Sequence, residues 1–180
     1  LPIYDFALHP TENDLVLGTH GRGIWILDQL SALQELDPAV MESAAHIFTI
    51  RPAEMTRYAS TRAHTGDMIF RGQNPPNGAL IDYWAGSGIP DGSTVAIFDA
   101  AGKELIQDTL KAELGAGVRR YLWNLRLPPL RSARSEAGGD DEGGGGLPGR
   151  YVAPGTYLAK VRLGGSIAER PFVVREDPRV

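Results

Sequence analysis

The residues with the greatest potential for binding chemistry form a short glycine-rich segment, Gly18-Thr19-His20-Gly21-Arg22-Gly23. The backbone N–H groups of such a loop can bind an anion, and His20 and Arg22 would add side-chain donors. However, the segment lacks the spacing of the phosphate-binding motifs, and a strand follows it where those motifs need a helix. A hairpin turn whose glycines adopt positive φ explains the same residues. We therefore retain His20 and Arg22 only as weak candidate binding residues.

Two tryptophans are the next candidates, because an exposed aromatic ring can stack against a sugar. Trp123 shares one face of a strand with Tyr121 and Leu125, where a large aromatic side chain belongs to the core. Trp84 lies on the face of its strand opposite Ile81. We therefore predict that Trp123 is buried, and we take Trp84 as the best candidate for an exposed binding aromatic.

An acidic cluster lies in the glycine-rich run AGGDDEGGGG. Carboxylates such as Asp140 and Asp141 are suitable calcium ligands, but the spacing of a calcium-binding loop is missing and the flanking glycines would leave the ligands poorly ordered. We expect a disordered surface loop over residues 132–149, with no metal.

The remaining residue types give no catalytic arrangement. No two of the four histidines have the i, i+4 spacing of a helical metal site, and no G-x-S-x-G elbow is present. The two carboxylates that glycoside hydrolysis requires cannot be paired from sequence. We predict no catalytic residue and no cofactor in this chain.

Composition limits the classes of function further. The chain has 180 residues, of which 42% are hydrophobic, and a formal net charge of −4. The acidic balance argues against a nucleic-acid partner, since phosphate recognition needs a basic face. No apolar run approaches the length of about 18 residues that indicates a membrane span. The absence of cysteine excludes disulfides and thiolate sites.

The first residues suggest a piece of a longer protein. The chain begins with Leu1 and continues directly into strand-like sequence, without a basic segment and an apolar segment of the signal-peptide type. We expect a C-terminal portion of a larger polypeptide.

Residues 1–28 predict a three-stranded β-meander. Alternating residues from Tyr4 to Leu8, the runs Leu15–Thr19 and Ile24–Leu27, and the turns between them give three short strands. A meander of this size is marginal in water, so we expect another part of the protein to cover its apolar surface. A blade of a β-propeller has this architecture.

Residues 29–68 predict a linker with short helices. Leucines at positions 30, 33 and 36 indicate one helical turn, with Ser31 as its N-cap. Asp37-Pro38 then provides a cap and a first helical residue for a second turn. The polar stretch from Arg51 to Asp67 indicates an extended segment.

Residues 69–180 predict an immunoglobulin-like or fibronectin-like β-sandwich. Six or seven strands follow one another, with turn signals about every ten residues. The clearest alternation runs from Tyr157 to Leu163. Pro171 indicates a strand at a sheet edge. The fold class is therefore mainly β: a sandwich preceded by a meander and short linker helices.

Two resemblances add to this interpretation. DFALHPTENDLVLGTHGRGIWILD resembles the last blade of the sortilin-like and BNR-repeat β-propellers of bacterial exported proteins, although the Asp-box of those proteins is missing. DAAGK, WNLR and APGTY, in that order, resemble the FlgD-type Ig-like domain at the C-terminus of many such proteins. Asn124 replaces the usual aspartate of that domain.

These resemblances imply a non-catalytic structural or interaction module at the C-terminus of an exported β-propeller protein. Its first partner would be the upstream blades of the same polypeptide, with another protein or a glycan as further partners. The alternatives are an accessory part of a BNR/sialidase-type glycoside hydrolase, or a carbohydrate-binding module using Trp84.

Overall fold

A computed structural model describes residues 2–56, 77–129 and 149–178. The protein is mainly β, with 51% of the described residues in strands and 7% in helices, which confirms the predicted fold class. The elements follow in the order β1 Ile3–Leu8, β2 Leu15–Thr19, β3 Ile24–Leu27, α1 Ser31–Glu35, α2 Pro38–Glu42, β4 Ala45–Ile47, β5 Ala53–Glu54, β6 Ala79–Ala85, β7 Gly88–Ile89, β8 Thr94–Phe98, β9 Glu104–Thr109, β10 Glu113–Leu114, β11 Gly117–Trp123, β12 Gly155–Leu163 and β13 Ser166–Arg175.

The first three strands form a separate antiparallel sheet in the order β1-β2-β3, called the meander below. Two larger sheets form the sandwich, one in the order β11-β6-β4 and the other in the order β5-β13-β12-β8-β9, while β7 and β10 form a small two-stranded ribbon. The core lies between the two larger sheets and takes its apolar side chains from both.

An aromatic cluster joins the two sheets at the centre of this core. The Trp123 ring lies edge-on to Tyr157 at 5.7 Å and to Phe172 at 6.0 Å between ring centroids. Trp123 is only 2% exposed, and its indole N–H donates to the Arg126 carbonyl at 3.2 Å. The prediction that Trp123 belongs to the core is confirmed.

Two short strands of the predicted linker belong to the sandwich. β4 pairs with β6 in one sheet, and β5 pairs in parallel with the end of β13 in the other. Strands of three and two residues are too short to show alternation, so no sequence pattern predicted them. Beyond this pairing with β5, no described strand flanks the outer side of β13, so Pro171 lies where a missing N–H is tolerated.

The two helices are both one turn long. Asp37 caps α2 as expected, because its carboxylate accepts the Val40 N–H at 2.8 Å and Pro38 is the first helical residue. The N-cap predicted for α1 is wrong. Leu30 is the cap residue and makes no side-chain cap hydrogen bond, while Ser31 is the first residue of the helix and is buried.

The central strand β6 is buried on both faces. Its inward residues join the sandwich core, and its outward residues are covered by the linker. On this outer face, Phe48 and the α1 residue Ala32 pack over Trp84. The linker thus acts as a third layer against the sheet.

The three sequence motifs of the sandwich each build a turn. The Asp99 carboxylate accepts the N–H groups of Ala101 and Lys103, both at 2.9 Å. Asn124 does the same for the Arg126 N–H at 3.1 Å, so an uncharged side chain still caps that turn. In APGTY, the Tyr157 hydroxyl donates to the Ala153 carbonyl at 2.5 Å.

Some expectations lie outside the described residues. These are the start of the sandwich near Ile69, most of the extended linker segment, and the glycine-rich loop at 132–149 except its last residue. That residue, Gly149, is buried, and its carbonyl accepts Arg126 Nη1 at 2.7 Å. A Cβ at Gly149 would lie 1.7 Å from the Leu127 carbonyl oxygen, so only glycine fits. Within the described ranges, no helix has the length and apolar character needed to cross a membrane.

Replacing Trp123 with alanine should lower the free energy of unfolding by about 3–5 kcal/mol, because the cavity opens in the middle of the aromatic cluster. Val173→Ala is the control, since Val173 lies on the exposed face of β13 and should cost much less. Chemical denaturation followed by circular dichroism measures both. Equal losses in the two variants would contradict the central place of Trp123.

Stability should fall at alkaline pH. Burial, together with the Glu113 carboxylate, raises the pKa of Tyr83. Burial and the hydrogen bond to Asp108 raise the pKa of Tyr121, and burial and Asp99 raise that of Tyr157. The contribution of each tyrosine to stability is complete below its unfolded-state pKa of about 10. As the pH rises from there through the folded-state pKa, each tyrosine lowers the free energy of unfolding by up to about 1.4 kcal/mol per pH unit.

Urea unfolding at pH 8, 10 and 11 measures this dependence. Tyr121→Phe removes one of the three titrating groups, so its stability should fall less steeply above pH 10 than that of the wild type. An unchanged slope in this variant would show that Tyr121 ionises equally easily in both states.

Candidate functional site

The strand register determines which side chains share each face of the meander. Leu17 pairs with Phe6 on one side and with Trp25 on the other, so these three form one row across the sheet. Val16 similarly pairs with Ala7 and Ile26, and this row lies on the opposite face. Each face therefore carries a row of apolar residues.

Both faces are open to solvent. Phe6 and Trp25 on the first face are 68% and 57% exposed, and Ile24 and Ile26 on the second are 72% and 61% exposed. An antiparallel sheet with one covered face alternates between apolar and polar residues, whereas strands covered on both faces are apolar throughout. The sequences LVLGT and IWIL of β2 and β3 are of the second kind.

The glycine-rich segment is the turn between β2 and β3. Gly21 and Gly23 have φ of 73° and 75°, a conformation that favours glycine, and Gly23 O accepts both the Thr19 N–H at 3.2 Å and the Thr19 hydroxyl at 2.7 Å. The hairpin interpretation is confirmed. His20 and Arg22 are exposed on this turn, and the His20 ring lies 5.3 Å from that of Tyr4.

Trp84 lies elsewhere, and as the best candidate for an exposed binding aromatic it is wrong. It is 8% exposed, and its indole N–H donates to the Ser43 carbonyl at 3.2 Å. The linker covers the outer face of β6, and sequence alternation within β6 cannot reveal a cover that comes from another segment. Trp84 is thus a packing residue, and the structure does not bring it together with His20 and Arg22.

A polar cluster around the buried Asp82 and Gln29 fastens the meander to the sandwich. It is here called the junction and consists of Asp82, Arg120, Gln29 and the Asp28 carbonyl. Arg120 binds Asp82 through two hydrogen bonds, Nε to Oδ1 at 2.6 Å and Nη2 to Oδ2 at 2.8 Å. The Nη2 group also donates to the Asp28 carbonyl at 3.0 Å. Gln29 Nε2 lies 3.4 Å from the second Asp82 oxygen. Because Asp28 and Gln29 directly follow β3, this cluster fixes the direction in which the meander leaves the sandwich.

A second set of contacts holds the β1–β2 turn. Arg51 Nη1 lies 2.9 Å from the Glu12 carbonyl, and 3.2 and 3.1 Å from the carboxylates of Glu12 and Asp14. The Asp14 carboxylate also accepts the Gln29 N–H at 2.8 Å. These hydrogen bonds and opposite charges therefore raise the free energy needed to separate the meander from the rest of the protein.

A polar cavity of about 220 Å³ lies between the meander and the sandwich. Its charged lining residues are Glu12, Asp14, Asp28, Arg51 and Glu54. The described part of the chain contains no group of three His, Asp or Glu side chains placed to hold a metal ion. The sequence did not indicate this cavity, because its residues come from three distant segments without a common motif.

The histidines lie in separate places. His9 accepts the Glu12 N–H at 3.1 Å in the β1–β2 turn, and His46 on β4 lies 3.9 Å from Glu35. His20 is on the β2–β3 turn, and His64 lies outside the described residues. The described histidines are therefore not gathered into one site, and the meander offers an apolar sheet for binding.

Comparisons with protein-family models, curated proteins and solved structures found no match for this chain.

Removing Arg120 should destabilise the protein more than neutralising Asp82. The Asp82 side chain is 3% exposed whereas that of Arg120 is 37% exposed, so Arg120→Met leaves a buried carboxylate without its cation, at a cost of about 3 kcal/mol. In Asp82→Asn, the freed guanidinium can reach water, and the loss should be about 1–2 kcal/mol.

Arg162→Met is the control for this pair of variants, because Arg162 is exposed on β12 and should change stability by less than about 0.5 kcal/mol. Thermal and urea unfolding measure all three. The reverse order, with Asp82→Asn the more damaging, would contradict the burial argument.

Proposed function

We propose that the chain is a non-catalytic structural and interaction module of a larger exported protein. In this proposal, the meander belongs to the last blade of a β-propeller of the sortilin-like or BNR-repeat kind, and the sandwich is an appended Ig-like domain of FlgD type. The resemblances of the two segments support both assignments.

The observation that carries the proposal is the exposure of apolar rows on both faces of the meander. A sheet with two apolar faces gains stability only when other layers cover both of them. Neighbouring blades stack on both sides of a propeller blade and provide such layers.

The carbohydrate-binding alternative loses its main residue, because the Trp84 ring is buried beneath Phe48 and α1. The sandwich itself has a complete aromatic core, and β6 is covered on both faces. Within the described ranges, the meander carries most of the exposed large apolar side chains, and in this proposal it is the part that requires a partner.

Photo-crosslinking in the natural gene product, expressed in its source cell, tests the proposal. We place p-benzoylphenylalanine at Phe6 on one face and at Ile26 on the other. Each should cross-link to a different β-strand segment of the same polypeptide outside this chain, because each face would carry its own neighbouring blade. Peptide mass spectrometry identifies the attachment points.

Ile167 is the matched control position, since it is apolar, 52% exposed and located on the sandwich. It should give no specific cross-link. Cross-links from Phe6 and Ile26 to a separate protein would refute the propeller assignment, and the absence of cross-links from both faces would refute the proposal as a whole.

A further inference from the structure

Asn77 and Gly78 lead the chain into β6, and the packing there explains both residue types. The Asn77 side-chain Nδ2 donates to the Thr56 carbonyl at 2.7 Å, and a carbonyl oxygen needs a donor opposite it. Gly78 has φ of 146°, and a Cβ there would collide with the Trp123 carbonyl. The fold therefore places an asparagine directly before a glycine.

This dipeptide has a chemical reactivity of its own. Because glycine has no Cβ, its backbone nitrogen can approach the side chain of the preceding asparagine with little hindrance. The other three asparagines, Asn13, Asn74 and Asn124, precede aspartate, proline and leucine. Proline lacks the N–H that would react, and the other two residues carry a hindering side chain. Asn77 is thus the most reactive asparagine of the chain.

We propose that Asn77 is a site of spontaneous deamidation. The Gly78 backbone nitrogen attacks the Asn77 side-chain carbonyl carbon, and the new C–N bond closes a five-membered succinimide ring. The side-chain nitrogen leaves as ammonia and takes with it the proton of the Gly78 N–H. Water, the co-reactant, then adds to one of the two ring carbonyls and opens the ring, which gives aspartate or isoaspartate at position 77.

The site is open to water and to local movement. Asn77 and Gly78 are half-buried and line the polar cavity between the meander and the sandwich. Thr56 follows the two-residue strand β5, so a single hydrogen bond beyond a very short strand holds the Asn77 amide. Such a contact can open while the rest of the sandwich stays folded. The reaction therefore needs only the release of the amide from the Thr56 carbonyl.

The product cannot restore the native contact. A carboxylate at position 77 has no donor for the Thr56 carbonyl, so two acceptors would face each other. In isoaspartate, the backbone also gains a methylene group directly before Gly78, which packs against Trp123.

The new charge would also meet other carboxylates. The described lining of the cavity already holds four acidic residues and one basic residue, which are Glu12, Asp14, Asp28, Glu54 and Arg51. Deamidation should therefore loosen the entry to β6 irreversibly as the protein ages. This change in the sandwich does not depend on what covers the meander, so the inference goes beyond the proposed function.

Peptide mapping of the full chain, incubated at mildly alkaline pH, measures deamidation at each asparagine. Asn77 should react at least about tenfold faster than Asn13 and Asn124, a difference of about 1.4 kcal/mol in activation free energy. Isoaspartyl methyltransferase should label the aged protein at position 77. Asn77→Gln keeps an amide donor, but its longer side chain would have to close a larger ring, so this variant should lose the modification.

Asn77→Asp tests the effect of the product charge on stability. Asn124→Asp is the matched control, because the Asn124 Oδ1 accepts the Arg126 N–H at 3.1 Å and a carboxylate accepts it equally well. Asn77→Asp should lower the folding equilibrium constant about tenfold, since it leaves a carbonyl without its donor, whereas Asn124→Asp should change it little. Urea unfolding measures both, and circular dichroism shows that each variant is folded.

The outcomes decide between a specific site and general ageing of the chain. Preferential modification of Asn77, together with a loss of stability in Asn77→Asp but not in Asn124→Asp, supports the proposal. Similar rates at Asn13, Asn77 and Asn124, or equal stability of the two aspartate variants, overturns it. None of these results affects the photo-crosslinking of the two faces in the natural gene product.

Discussion

The bidentate ion pair between Arg120 and Asp82 is the interaction on which the arrangement of the molecule depends. Asp82 lies on the outer face of β6, where an uncompensated carboxylate would be costly in so buried a position. Arg120 on the adjacent strand neutralises it, and the Asp82 hydrogen bond raises the pKa of the guanidinium further above its ordinary value. The same guanidinium reaches the Asp28 carbonyl at the end of β3. One cation thus satisfies a buried acid and holds the end of the meander against the sandwich.

A polar junction differs from an apolar one in its directionality. Apolar contacts between the meander and the sandwich would permit many orientations of similar energy, whereas hydrogen bonds require defined distances and angles. Arg120 holds the exit of β3, and Arg51 holds the neighbouring β1–β2 turn. The apolar residues of the meander are therefore left for other contacts, and the sheet is presented in a fixed orientation.

The sequence predicted the elements whose signals are local. The three meander strands, the cap at Asp37, the turn at Asp99 and the buried Trp123 follow from alternation, capping chemistry and glycine placement. It did not predict features that depend on distant segments. β4 and β5 are defined by their partners rather than by their own residues, and the burial of Trp84 depends on Phe48 and α1. The junction and the cavity beside it combine residues separated by up to 92 positions, and no single-sequence pattern reports such contacts.

The contrast between the two parts of the chain is itself a functional argument. In the sandwich, the largest side chains are covered, and the outer face of β6 has its own cover in the linker. In the meander, apolar residues of similar size are exposed on two faces. Elsewhere, the same chain has polar residues at exposed strand positions. Exposed apolar area on this scale is rare in a protein surface that meets only water. In the proposed function, a partner that covers the meander explains the composition of β2 and β3, and the sandwich is the rigid body that carries the meander.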